Sequence, residues 1–226
     1  MQNVQTATAH RAGKATQRKP LIIALTGYPD VGKDTVAEIL APRHGFRRVA
    51  FADALRSEIT EAWRIDRRML TQRSTKEVPL PALAAGMCNE PGFLHWCVDS
   101  GESLTEPRSA RWVLQTWATY QRRFHPDYYA RAVARKIDWH IGAGWTRIVV
   151  SDLRDPIEEA TLRGIGAKVV RVHRPDAKPL EGTTAAHSSE LHHRIQADAD
   201  IVNDGSLAAL AEAALLCVDM LEGGAA

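Results

Sequence analysis

The chain has 226 residues, 45% of them hydrophobic and 25% charged, with a formal net charge of +2. That length and apolar content suit one folded domain with insertions and exclude a disordered or fibrous chain. The balanced charge argues against nucleic acid as a partner, and no apolar run approaches the roughly 20 residues that a membrane span needs.

Three cysteines, Cys88, Cys97 and Cys217, show no C-x-x-C spacing. Neither a disulfide framework nor a zinc ribbon is expected, His95 beside Cys97 does not make a metal site, and a reducing cytoplasm is the simplest location. Residues 1–19 carry four basic and no acidic side chains and almost no large apolar ones. They predict a flexible tail ahead of a single domain over 20–226.

Leu21 to Leu25 is a continuous apolar run of strand length, whereas Val36, Ala37, Ile39 and Leu40 recur at helical spacing. Between them Gly27 and Gly32 bracket four residues and Lys33 follows, the G-x-x-x-x-G-K pattern in which backbone N–H groups wrap phosphates and the lysine reaches the outer ones. The helix begins where an anion would sit, its positive end aimed at it. Gly27, Asp30, Gly32, Lys33, Asp34 and Thr35 are the nucleotide-binding candidates. Asp34 stands where Ser or Thr usually holds Mg²⁺, so either its carboxylate or the Thr35 hydroxyl is the candidate metal ligand.

Arg47 to Phe51 predicts a second strand that delivers Phe51 to Arg56, FADALR, at its carboxyl end, where open α/β sheets place their sites. Asp53 there either approaches Mg²⁺ and an attacking group or caps the following helix. Residues 63–109 hold scattered prolines and glycines with no sustained period and predict an insertion, either acceptor-binding or structural. The basic cluster from Arg67 to Lys76 binds an anion or is solvated.

Arg111 to Phe124 predicts a helix burying Trp112, Val113, Trp117 and Tyr120, with Arg122 and Arg123 at its end. A second runs from about Asp127 to Ile141 with Tyr128, Ala132, Val133 and Ile137 on one face. Thr146 to Val150 is a third strand, and its exit, SDLRD, carries Asp152 and Arg154 in the manner of the second NTPase signature. A helix over 156–164 and a strand over 167–172 follow, so repeated β–α–β units imply a parallel sheet. Residues 174–194 are polar and predict a lid, with His187, His192 and His193 not read as metal ligands. A short strand from Asp200 to Val202, an NDGS turn and an amphipathic helix over 207–221 close the chain.

The ordered set GYPDVGKDT, FADALR, LQTWATYQRR, SDLRDPIEEATLRGIGAKVVRVHRP, HSSE and IVNDGS resembles the phage-type deoxynucleoside monophosphate kinases, relatives of dephospho-coenzyme A kinase within the P-loop nucleoside monophosphate kinase group. Ala118 and Gln121 depart from the Gly and Glu of that pattern. The resemblance implies a P-loop NTPase three-layer α/β sandwich with a helical insertion and a lid. It also implies transfer of the ATP γ-phosphoryl group to a deoxynucleoside monophosphate with Mg²⁺, and leaves room for a homodimer. Lys33, Asp53, Arg154 and Arg174 would then be catalytic, Asn203 and Gly205 would join the nucleotide site, and Arg56, Gln115, Arg122, Arg123, Asp152 and Arg154 would bind the acceptor. Another small-molecule kinase, of the dephospho-coenzyme A kinase type, or a non-catalytic ATP-binding module are the alternatives.

Overall fold

The structure, a computed structural model, describes residues 19–72, 76–175 and 193–223. Nearly all of the expected tail and most of the expected lid, with His187 and His192, lie outside the described residues. In chain order the elements are β1 (Leu21–Thr26), α1 (Lys33–Arg43), β2 (Arg47–Val49), α2 (Phe51–Trp63), α3 (Arg68–Thr71), α4 (Pro91–Asp99), α5 (Ala110–Arg122) and α6 (Tyr128–Gly142). They continue with β3 (Arg147–Val150), α7 (Pro156–Gly164), β4 (Lys168–His173), β5 (Ala199–Val202) and α8 (Leu207–Gly223).

The five strands form one parallel sheet in the order β2-β3-β1-β4-β5. From β1 the chain crosses out to β2, leaving the gap that β3 later fills; from β3 it crosses back over β1 to β4. The direction of winding therefore reverses beside β1, and a crevice opens there at the carboxyl ends of the strands.

Strand periodicity sorts the core into two layers. Ile22 and Ala24 of β1, Ile148 and Val150 of β3 and Val169 of β4 face Phe51, Tyr129, Val133, Ile137 and Leu162 on α2, α6 and α7. Ile23, Leu25, Val149, Val170 and Val172 face Val36, Leu40, Leu210, Ala214 and Val218 on α1 and α8. Burial on both faces is why β1 reads as an unbroken apolar run rather than an alternating one. This is the three-layer P-loop NTPase arrangement.

Three local expectations change. β2 ends at Val49, and Phe51 already opens α2, so Asp53 lies in a first helical turn rather than past a strand end. On α6 the buried stripe is Tyr129, Ala130, Val133 and Ile137, with Tyr128 and Ala132 only partly covered. The irregular stretch after α2 carries a third core: the rings of Trp63, Phe93 and Trp117 meet at centroid distances of 5.2 to 5.4 Å, and Trp63 Nε1 donates to Ala84 O at 3.1 Å. Cys88 and Cys97 sit in that core, where burial pushes both thiols up to about 11, and they are free. Such thiols are inert packing groups.

Candidate active site

The loop after β1 turns back on itself because three positions adopt positive φ: Gly27 at 136°, Asp30 at 59° and Gly32 at 105°. Glycine is needed at the first for a second reason, since a Cβ on Gly27 would lie 2.3 Å from the Val172 carbonyl oxygen of β4. Lys33 is buried and donates from Nζ to the carbonyls of Gly27 at 2.7 Å and Tyr28 at 2.5 Å. The loop thus closes around its own lysine, with the first turn of α1 directly behind it.

Asn203, expected to join the nucleotide site, is buried at the exit of β5, where its Nδ2 donates to Val31 O at 2.8 Å. A Cβ on Gly32 would come within 2.7 Å of the same nitrogen. Its side chain is therefore a brace for the phosphate loop. Gly205 lies in the exposed turn beyond it.

Asp34 is exposed and accepts from Arg48 Nη2 at 2.6 Å, and the Arg48 Nε in turn reaches Ser151 Oγ at 3.3 Å. Thr35 is half-buried one residue further along the same turn. No cluster of three His, Cys, Asp or Glu exists among the described residues. Mg²⁺ bound by one or two protein oxygens together with substrate phosphates needs no such cluster, so the hydroxyl and carboxylate beside Lys33 fit that ion as a donor set.

Asp152, at the exit of β3, is half-buried and spends its carboxylate on α2, accepting from Phe51 N at 2.8 Å and Ala52 N at 2.9 Å. Ala50, the residue that precedes α2, has no side-chain oxygen, so the cap comes from 101 residues away. Burial raises the Asp152 pKa, while the Ala52 amide and Arg154 oppose the rise. Asp53, by contrast, caps nothing; it accepts from Arg67 at 2.5 Å and Arg56 at 3.4 Å.

A solvent-open pocket lies between α2, α5 and the β3–α7 turn. Five cations line it, Arg56, Lys76, Arg111, Arg122 and Arg154, along with Gln115 and two carboxyl groups, Asp152 and Glu158. Of the expected acceptor residues only Arg123 is not in its wall. That guanidinium sits over the rings of Tyr120 at 4.2 Å and Phe124 at 4.3 Å. The pocket adjoins the phosphate loop through the backbone, because Leu153 N donates to Leu25 O at 3.1 Å two residues before Gly27. Arg174 is exposed just past β4, whose Val172 packs against Gly27.

Glu158 was not singled out in the sequence, yet it organises this wall. One oxygen accepts from Arg122 Nη2 at 3.1 Å; the other accepts from the backbone N–H groups of Arg154 at 3.2 Å and Asp155 at 3.3 Å. With Asp155 it forms the capping box of α7. Burial raises its pKa to about 7 against the pull of Arg122. Behind the pocket Glu58 accepts from Trp117 Nε1 at 2.9 Å, Tyr128 OH at 3.0 Å and Tyr129 OH at 2.9 Å, which fixes Tyr129 under the Arg122 guanidinium at 5.6 Å.

Fold and loop together define a P-loop NTPase-type α/β domain. No protein-family model matches the sequence, and no curated protein matches it. Among solved structures the chain is similar to a sugar kinase from a Janibacter species, with 17% identity, a TM-score of 0.44 and coverage of 90% of this chain and 97% of that one. A Thermus thermophilus protein is 18% identical with a TM-score of 0.49, covering 90% and 98%. A dephospho-CoA kinase from Campylobacter jejuni is 12% identical with a TM-score of 0.47, covering 88% and 96%. No described helix is long and apolar enough to cross a membrane.

Proposed function

We propose that the protein is a cytoplasmic ATP-dependent kinase whose acceptor is a deoxynucleoside monophosphate. The observation that carries this reading is a pocket with five cations beside a phosphate loop. That charge suits a dianionic phosphate monoester, and a nucleoside fits the remaining apolar and amide-bearing wall of Leu55, Leu114, Gln115 and Tyr129.

In this reading the loop amides and Lys33 hold the donor's outer phosphates. Bound Mg²⁺, held by Thr35 or Asp34, would supply charge neutralisation between them. An oxygen of the acceptor's 5′-phosphate attacks the γ-phosphorus; the bond to the β–γ bridging oxygen breaks, and ADP leaves with the electron pair. No covalent intermediate on the protein is needed, so positioning and positive charge do the work. Arg154 and Arg56 grip the acceptor phosphate, Asp53 orients Arg56, and Arg174 approaches the transferring group from the exit of β4.

The test is phosphorylation of a panel containing the four deoxynucleotides, their ribo counterparts and dephospho-coenzyme A. Arg154→Lys, run beside the wild type, keeps charge but loses the two-pronged fork. Its acceptor kcat/KM should fall by about 10- to 100-fold, roughly 1.4 to 2.7 kcal/mol, with little change in apparent ATP affinity. Turnover of dephospho-coenzyme A alone would assign a different acceptor, and ATP binding with no turnover of any acceptor would make the protein a nucleotide-binding module.

A further inference from the structure

Lys76 stands at the start of an irregular stretch in which Glu77, Val78 and Pro79 are exposed, yet its own side chain is drawn half-buried into the wall of the pocket. Its position is fixed from behind, since Lys76 O accepts from Arg111 N at 3.1 Å. Around it stand three guanidiniums from three elements: Arg56 on α2, Arg111 on α5 and Arg154 on the β3–α7 turn. The negative groups nearby have other commitments. Glu77 is ion-paired with Arg111, Asp53 with Arg56 and Arg67, Asp152 with the amides of α2, and Glu158 with Arg122. The Lys76 ammonium makes no hydrogen bond or ion pair with a described residue.

A half-buried ammonium among like charges is unfavourable until an anion arrives, because burial and repulsion both act against the charged form. Both operate here: burial first, then Arg111 and Arg154, lower the Lys76 pKa, with Glu77 opposing them and Arg56 adding a smaller push downward. An arrangement that is repulsive when empty and neutralised by a dianion is the physical signature of a phosphate site.

We infer that Lys76, carried by the insertion and backed by Arg111, is a direct ligand of the acceptor's phosphate monoester, so that the insertion closes the anion site opposite Arg154. This inference rests on the kinase reading for the identity of the acceptor. For the site itself it rests on the charges alone.

Two measurements test it. Steady-state kinetics on whichever deoxynucleotide the protein phosphorylates should show Lys76→Gln raising acceptor KM by about ten-fold or more, the loss expected for one charge-assisted hydrogen bond, with a smaller change in kcat and with Lys76→Arg restoring most of the loss. Calorimetric binding of 2-deoxyribose 5-phosphate, a base-free monoester, is then compared over a pH series up to the ordinary lysine value of 10.5 in pairs of buffers of different ionisation heat. Above about pH 8 the phosphate is already dianionic. Proton uptake on binding to the wild type, absent in Lys76→Gln, would report an ammonium recharged by the anion, which a purely structural lysine would not give. Retained melting temperature in the variants shows that folding is not the cause. If acceptor KM changes less than two-fold and proton uptake persists, Lys76 is not a ligand and the inference is overturned while the kinase reading stands. If the monoester binds in a Lys76-dependent way but no acceptor is phosphorylated, the kinase reading fails and this inference stands. Failure of the wild type to bind any phosphate monoester would sink both.

Discussion

Replacing Glu158 by Gln isolates the energetic consequence of burying a carboxyl group in the pocket wall. In an unfolded chain the group titrates near 4.5, whereas in the folded protein burial pushes it up to about 7. The folded state therefore holds the proton more tightly. The stabilisation this brings is complete below the unfolded value and is lost as pH rises through about 7. The gap corresponds to about 3 kcal/mol, on the order of 1.4 kcal/mol for each pH step between the two values. Glutamine keeps a carbonyl oxygen for the Arg154 and Asp155 amides but stays neutral at every pH. Its stability relative to wild type should accordingly rise by about 3 kcal/mol between pH 4.5 and 8, or roughly 6 to 12 °C in Tm for a chain of this size. Urea unfolding of both proteins at pH 5, 6, 7 and 8 measures this directly, since titrations elsewhere cancel in the difference. Were the ion pair with Arg122 the dominant influence, the slope would have the opposite sign, with wild type gaining on the variant as pH rises. A flat or inverted difference would refute the assignment of burial as the larger effect.

Asp152→Ala should cost about 2 to 4 kcal/mol in urea unfolding, because the N–H groups of Phe51 and Ala52 lose both acceptors, whereas Asp152→Asn keeps one acceptor, sheds a half-buried charge and should stay within about 1 kcal/mol of wild type. Equal stability of the two variants would show that the carboxylate is not the cap of α2. Gly27→Ala combines a positive φ with a methyl group against the Val172 carbonyl, and should lower stability by more than about 3 kcal/mol; a Tm within 2 or 3 °C of wild type, roughly the shift from 1 kcal/mol, would contradict the packing of β4 on the loop.

The phosphate loop was legible because its signals are local: a glycine pair, a lysine, an apolar run before and a helical period after. The sheet followed from the same runs. What escaped the sequence was set by distant partners. Asp152 reads like a metal-facing carboxylate until the structure brings the start of α2 onto it, 101 residues away. Asn203 reads as part of a solvent turn until β5 carries it beneath the loop. Arg122 and Arg123 are adjacent at a helix end, where one residue's rotation separates a pocket wall from the aromatic surface of Tyr120 and Phe124. Lys76 carried no signal beyond charge, since a lysine in an irregular stretch has the same sequence context whether solvated or drawn inward. The insertion's core was hidden because α4 is short and apolar on more than one side, so no period stands out.

The brace from Asn203 to Val31 has a consequence for the order in which the molecule is made. The phosphate-loop sequence is complete by residue 35, and β1 leaves the ribosome with it, but both lateral neighbours of that strand, β3 and β4, and the amide that grips the loop come from much later in the chain. A nascent chain carrying the whole motif lacks the scaffold that bends it. The bend of the loop is therefore completed late in synthesis, once β5 has docked and residue 203 is in place.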